Sequence, residues 1–176
     1  MELLNNIQTY CHCCSNQINL SDNDILVLSV CKINPGETHP SLIGSALHPE
    51  EQKIYNSYKH DKRKHSYLLG RVASKTAIQK YTQVQPKDVN IINGLLRQPI
   101  VKGINNVDVS ISHADNLGFA AAFNDTLLLG IDIEKHQDES ASYLQEYLMD
   151  KEKMYTSMSE LTLLWSAKEA LSKCLK

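Results

Sequence analysis

The order of apolar and polar residues in the first half of the chain predicts a strand, a long helical region and a second strand. Residues 25–33 are apolar and β-branched, which is typical of a buried strand. Over residues 50–81 no residue ends a helix, and apolar residues recur at helical spacing, so one or two helices are predicted. Residues 89–92 predict a short strand, and a turn follows them.

Two further segments alternate between apolar and polar residues as half-buried strands do, and a third, between them, is apolar. In residues 107–113 the apolar positions fall on one face, with Ser110 and Ser112 on the other. Residues 118–123 predict another strand or a buried segment, and residues 127–134 alternate again. A helical pattern without Gly or Pro runs over residues 159–176. The predicted elements of the second half therefore repeat the beginning of the first half, with a strand followed by a helix.

Two carboxylates share one face of the predicted strand over residues 127–134. Asp132 and Glu134 are two positions apart, which places their backbones roughly 7 Å apart on a strand. Neighbouring anions repel each other, and a hard cation such as Mg²⁺ binds oxygen ligands of this kind. Gly130 on the same face leaves room for a ligand or for a close backbone approach. The alternative is a strand with an exposed polar face.

The last predicted helix carries a polar stripe opposite an apolar stripe. The polar stripe consists of Thr162, Ser166, Glu169, Lys173 and Lys176, and the apolar stripe, expected to be buried, of Leu161, Leu164, Trp165, Leu171 and Leu175. Lys168 falls on the apolar side, where a lysine either extends to water or meets an anion. The alternative is a surface helix with one i,i+4 ion pair between Glu169 and Lys173.

Composition and charge narrow the class of protein. The chain has 42% hydrophobic and 22% charged residues and a net charge of −2, which are ordinary values for a globular protein. Residues 59–75 are rich in Lys and Arg, but the overall charge argues against a nucleic-acid-binding protein. We expect no membrane span and no signal peptide, and therefore a cytoplasmic protein. Cys11, Cys13 and Cys14 lack the usual zinc spacing and are interpreted as reduced thiols, with a metal site as the alternative.

Taken together, the G-I-D-I-E segment at residues 130–134 and the W-S-A-K-E segment at residues 165–169 resemble the signature of the 4′-phosphopantetheinyl transferase superfamily. The V-S-I-S-H-A segment at residues 109–114 and the basic segment at residues 62–75 are similar to further motifs of that family. Their order resembles the surfactin-synthetase-type subgroup, in which one chain holds two similar halves. The resemblance covers residues from about 50 to 176.

The resemblance implies an α+β fold that is a pseudo-dimer of two similar halves, each a small antiparallel sheet packed on a long helix. The N-terminal half would be residues 1–124 and the C-terminal half residues 125–176. In the family, further strands follow the W-S-x-K-E helix, so the second half is expected to be incomplete. A monomer is expected, with self-association if another chain supplies the missing strands.

The resemblance also implies an activity: transfer of 4′-phosphopantetheine from coenzyme A to a serine of an apo acyl or peptidyl carrier protein, with release of 3′,5′-ADP. Fatty-acid, polyketide and nonribosomal peptide biosynthesis all use such carriers. The implied Mg²⁺ ligands, for which Mn²⁺ is an alternative metal, are Asp132, Glu134 and Glu169. Glu169 and Lys173 would be catalytic. The implied coenzyme A contacts are Lys62, Arg63, Ser112, His113, Lys168 and Lys173.

Two departures from the family pattern favour an alternative function. One is the expected absence of the strands that follow the W-S-x-K-E helix, and the other is at Gln98. Gln98 stands where the family commonly has a lysine that touches the ligand, and Arg97 is the neighbouring cation that could replace it. Lys64, Arg71 and Lys75 share one helical face and are further candidates for binding the ligand. The alternative is a non-catalytic or truncated homologue that binds coenzyme A or a carrier protein.

Overall fold

The computed structural model describes residues 25–34, 40–136, 146–154 and 157–175. The elements, in chain order, are β1 (Leu26–Lys32), α1 (Pro40–Ala46), α2 (Pro49–Ser57), α3 (Asp61–Thr82), β2 (Asn90–Asn93), β3 (Pro99–Lys102), β4 (Asp108–Ala114), β5 (Leu117–Phe123) and α4 (Met158–Cys174). Short 3₁₀ helices cover Pro86–Asp88 and Asp150–Glu152. The cysteines of residues 11–14 lie outside the described residues.

A three-stranded antiparallel sheet packed on one long helix forms the centre of the described chain. The strand order is β1-β5-β4, and Val109 of β4 pairs with Ala122 of β5. Helix α3 contacts all three strands. A β-carbon on Gly118 would come within 2.5 Å of the backbone oxygen of Leu69, so glycine at this position permits the close approach of α3 to β5. This arrangement confirms the α+β prediction for the first half.

The helical region predicted over residues 50–81 consists of two helices, α2 and α3. Helix α2 begins at Pro49, after a capping box in which the Glu50 backbone N–H donates to His48 Nδ1. The sequence pattern did not predict α1 or β3; β3 pairs with β2 in a separate two-stranded hairpin. Residues 94–98 join β2 to β3, where a turn was predicted.

Two of the basic residues of α3 are inside the protein rather than on its surface. Lys75 and Arg71 both form ion pairs with Glu51 of α2, and the Lys75 side chain is only 1% exposed. The Glu51 carboxylate also accepts from the backbone N–H of Ile91 in β2. The expectation that Arg71 and Lys75 could contact a ligand is therefore wrong, since both cations are used to join α2, α3 and the β2–β3 hairpin.

The predicted strand over residues 127–134 is not a strand in the structure. The segment lies beside β4, but the N–H groups of Ile131 and Ile133 donate to the side chains of Ser110 and Ser112 instead of to a neighbouring backbone. Within the described ranges no strand follows β5, so the C-terminal half has no sheet of its own there. The prediction of a strand here is wrong, because an alternating pattern of residues does not by itself supply a pairing partner.

Helix α4 confirms the predicted helix, but only the first part of its apolar stripe packs against the protein. Leu161 is buried, whereas Leu171 is 58% and Leu175 is 70% exposed. The polar residues Glu169 and Lys173 are partly buried against the rest of the chain. The predicted burial of the whole apolar stripe is therefore wrong, because the last turns of α4 pack through Lys173 and leave Leu171 and Leu175 exposed. None of the described helices has the length and hydropathy that crossing a bilayer requires.

Candidate active site

Asp132 lies at the centre of the candidate site and is held by two other parts of the chain. Its side chain is 4% exposed. Its Oδ1 atom accepts from Ser112 Oγ at 2.7 Å and from Lys173 Nζ at 2.6 Å. Its Oδ2 atom is buried and has no hydrogen-bond partner among the described residues. One oxygen of Asp132 is thus fully engaged, and the other retains its capacity to bind a donor or a cation.

Lys173 connects α4 to the segment that carries Asp132. Besides its ion pair with Asp132, its Nζ atom donates to Ser112 Oγ at 3.1 Å and to the carbonyl of Ile131 at 3.3 Å. The surface-helix alternative, with Lys173 paired to Glu169 on the same helix, does not describe this geometry. The lysine instead places a positive charge beside a buried carboxylate.

Gly130 allows this close contact between the segment and α4. A β-carbon on Gly130 would overlap the backbone oxygen of Ala170. Of the two roles considered for this glycine, a close backbone approach is therefore the one that the structure has. The approach brings Lys173, one turn after Ala170 on α4, to Asp132.

Asp132 and Glu169 lie within electrostatic reach of Glu134. Burial raises the pKa of the Glu134 carboxyl, and the negative charges of Asp132 and, more weakly, Glu169 raise it further. A hydrogen bond from Trp165 and the positive charge of Lys173 act in the opposite direction on this pKa. A carboxyl whose ionisation is disfavoured by two neighbouring negative charges offers a favourable environment for a cation.

His113 lies near two cations, Arg63 and Lys173, at the carboxyl end of β4. Although more than a third of His113 is exposed, the protein around its ring lowers its pKa, first by excluding water and then through the charges of Lys173 and Arg63. These causes show that Arg63, at the start of α3, reaches the same region as His113 and Lys173. Such a group of cations is suited to binding a phosphate.

Two other predicted coenzyme A contacts are not joined to this group. Lys62 is exposed at the start of α3. Lys168 donates to Glu152 at 2.5 Å and to the carbonyl of Tyr147 at 3.2 Å. The anion that Lys168 meets is therefore the Glu152 carboxylate, and this pairing accounts for a lysine on the apolar side of the helix.

The structure adds a cleft that the motifs did not predict. A cleft of about 320 Å³ adjoins Lys173, and Arg97, Gln98 and Ser110 line it. Gln98 Oε1 accepts from the backbone N–H of Leu96 at 3.0 Å, so Gln98 supports the β2–β3 turn. Ser110 had a sequence signal, because alternation placed it on the same face as Ser112. No sequence signal predicted the cleft, because it forms between elements that are far apart in the sequence.

The donor types of the site fit Mg²⁺. In the described portion of the chain no three His, Cys, Asp or Glu side chains are already gathered as a metal site. The buried, unpartnered Oδ2 of Asp132 nevertheless belongs to a carboxylate that acts on Glu134, whose pKa is raised first by exclusion of water and then by the charge of Asp132. Carboxylate oxygens of this kind are the ligands that Mg²⁺ prefers.

Two comparisons with known proteins give results, one for the C-terminal segment and one for the fold. A model of the 4′-phosphopantetheinyl transferase superfamily matches residues 128–176, which include Asp132, Glu134, Glu169 and Lys173. No curated protein sequence matches the chain. The crystal structure of a holo-(acyl-carrier-protein) synthase from Bacillus anthracis, in complex with CoA (3′,5′-ADP), is similar with a TM-score of 0.51 and 20% identity, over 56% of this chain and 93% of that chain. The described chain therefore has the fold of a holo-(acyl-carrier-protein) synthase over that part, and its C-terminal part matches the 4′-phosphopantetheinyl transferase superfamily.

Proposed function

We propose that this protein transfers the 4′-phosphopantetheine group of coenzyme A to a serine of an apo acyl or peptidyl carrier protein and releases 3′,5′-ADP. The observation that carries the proposal is the Asp132 carboxylate, buried against Lys173 with one oxygen left unpartnered, within the segment that matches the superfamily. A phosphoryl-transfer site needs such a combination of anchored carboxylates and cations.

In the proposed reaction the serine oxygen attacks the β-phosphorus of coenzyme A, and the bond between that phosphorus and the bridging oxygen breaks. The bridging oxygen leaves with 3′,5′-ADP, and Glu169 accepts the serine proton. His113 and Arg63 bind phosphate oxygens and stabilise the charge that develops on the leaving group. Lys173 does the same after exchanging one of its three acceptors in the free protein for a phosphate oxygen.

Asp132, Glu134 and Glu169 would hold Mg²⁺, or Mn²⁺ in its place. When bound, the metal supplies positive charge that offsets the pyrophosphate. Arg97, which lines the cleft beside Lys173, supplies the cation that Gln98 does not. Lys62 and Lys168 remain candidate contacts for coenzyme A, and Lys168 would have to exchange Glu152 for phosphate.

We also propose the surfactin-synthetase-type organisation, with residues 1–124 and 125–176 as two related halves of a cytoplasmic monomer. It is proposed to act without nucleic acid or membrane as partner. The carrier belongs to fatty-acid, polyketide or nonribosomal peptide synthesis. The first half supports this organisation, because a small antiparallel sheet packs there on a long helix.

Intact-protein mass spectrometry of an apo carrier protein tests the proposal. After incubation with this protein, coenzyme A and Mg²⁺, the carrier is expected to gain the mass of one phosphopantetheine, and chelation of the metal should prevent the gain. A carrier that gains no mass, although the protein binds coenzyme A, would favour the alternative of a non-catalytic homologue.

Glu169→Gln separates the two functions further. If Glu169 accepts the serine proton, the variant should lose transfer by roughly a hundredfold or more while still binding the carrier protein. Asp150→Asn is a matched control, because Asp150 pairs with Lys153 at the surface, away from the proposed machinery. Equal transfer by the two variants would contradict the role of Glu169.

A further inference from the structure

Two serine hydroxyls of β4 connect the sheet to the segment that carries Asp132. Ser110 and Ser112 are two positions apart, so their side chains point to the same face of the strand. Both are buried, at 1% and 7% exposure. A buried hydroxyl needs partners, because leaving one unpaired is costly.

The partners of these hydroxyls include backbone N–H groups of the neighbouring segment. Ile131 N–H donates to Ser110 Oγ at 3.1 Å, and Ile133 N–H donates to Ser112 Oγ at 3.4 Å. In a regular sheet, carbonyl oxygens of the adjacent strand would accept these bonds. Here the spacing of the two serines determines which residues of the segment lie beside which residues of β4.

Ser112 has no hydrogen-bonding capacity left for a ligand. A serine hydroxyl has one proton to donate and two lone pairs to accept with. The proton goes to Asp132 Oδ1, at 2.7 Å. The lone pairs accept from Ile133 N–H and from Lys173 Nζ. A phosphate oxygen would need the donor that Asp132 already uses.

We propose that Ser112 is a positioning residue, which fixes Asp132 with Oδ1 engaged and Oδ2 left free for a cation, and that it is not a contact of coenzyme A. Ser110 sets the register of the same segment without touching the carboxylate. The inference deepens the proposed function and rests on it for the identity of the ligands.

Amide hydrogen exchange in the ligand-free protein tests the geometry without metal or substrate. In Ser112→Ala, the Ile133 amide should exchange roughly tenfold faster because its acceptor is gone. In Ser110→Ala, the Ile131 amide should respond instead. Ser112→Thr keeps a hydroxyl and should restore the protection of Ile133. Unchanged exchange at Ile133 in a folded Ser112→Ala protein would overturn the proposed contact.

Calorimetric binding tests the role of that contact. Ser112→Ala should weaken Mn²⁺ binding roughly tenfold, as expected when an oriented ligand loses its supporting hydrogen bond. It should change coenzyme A binding in the absence of metal by less than about twofold, since phosphate contacts elsewhere are intact. In an Asp132→Asn background, Ser112→Ala should have no further effect on Mn²⁺ binding, because Ser112 acts through Asp132.

The opposite pattern would overturn the positioning role. If Ser112→Ala weakened metal-free coenzyme A binding equally with Asp132 and with Asn at that position, Ser112 would be a direct ligand contact. Neither measurement requires transfer to a carrier protein. Failure of the transferase proposal and failure of this inference are therefore distinguishable.

Discussion

At the scale of single residues, the site shows how a buried carboxylate is stabilised. Removing Asp132 from water is unfavourable unless charge and hydrogen bonds replace the lost hydration. Lys173 and Ser112 supply both at Oδ1. The unpartnered Oδ2 is the exception to that rule, and a bound cation is one of the partners that such a buried polar atom can have.

His113 gives a prediction about pH. Its lowered pKa means that it is neutral at pH 7 in the free protein and gains charge only as the pH falls through that lowered value. If it binds a phosphate as proposed, coenzyme A should raise this pKa, because the bound anion favours the imidazolium form. Titration of the His113 ring resonances by NMR, with and without coenzyme A, measures the change.

The coenzyme A affinity of the unaltered protein should accordingly rise by a few-fold as the pH is lowered from 7 towards 5, in keeping with one charge-assisted hydrogen bond. His113→Gln should remove this dependence and identifies the resonance. A ring pKa that coenzyme A does not move would remove His113 from the phosphate site.

At the scale of elements, the order of apolar and polar residues predicted the helices and strands whose formation depends on residues close together in the sequence. Strands β4 and β5 and the helices α2 and α3 follow from alternation and helical spacing, because one buried face imposes each period. Residues 127–134 alternate too, but a strand also needs a partner, and the alternation does not say whether one is present. The side of α4 that faces the protein is set by Asp132, which lies far from Lys173 in the sequence.

Gly130 tests how α4 is placed. Gly130→Ala should push α4 away, because the overlapping atom is backbone oxygen of Ala170 and cannot rotate aside. Overpacking of this kind costs about 1–3 kcal/mol in the free energy of unfolding. Displacement of Lys173 from Asp132 should also weaken coenzyme A binding. Urea denaturation and calorimetry measure the two effects.

Gly44→Ala is the matched control for that substitution. Gly44 lies in α1, and a β-carbon there meets no atom within 4 Å. Alanine is favoured over glycine in helices by up to about 1 kcal/mol, so this variant should be as stable as the parent or slightly more so. If both alanine variants behaved alike, the close approach at Gly130 would not be what places α4.

At the scale of the whole molecule, one buried carboxylate joins three elements that surround the site. Glu51 of α2 holds Arg71 and Lys75 of α3, and it accepts from Ile91 in the β2–β3 hairpin. The same hairpin carries Arg97 to the cleft. Sequence spacing put the two cations on one face of α3 but could not identify their partner, because Glu51 pairs with them across a turn of the chain.

Glu51→Gln should therefore destabilise the protein strongly. Removing one member of a buried ion pair leaves the remaining charge uncompensated and costs about 3–5 kcal/mol in the free energy of unfolding. Its neighbour provides the control, since Glu50 pairs with Lys53 in water and Glu50→Gln should change stability little. Equal denaturation midpoints for the two variants would contradict a structural role for the buried pair.

Trp165 gives the protein a built-in optical probe. It is the chain's one tryptophan, its indole contacts the Tyr147 ring edge-on with centroids 5.3 Å apart, and it hydrogen-bonds to Glu134. The tryptophan fluorescence of the protein therefore reports on one position only, next to the Glu134 carboxylate of the candidate site. Binding of metal or nucleotide can be followed by the fluorescence of the unlabelled protein, and Trp165→Phe provides the dark reference.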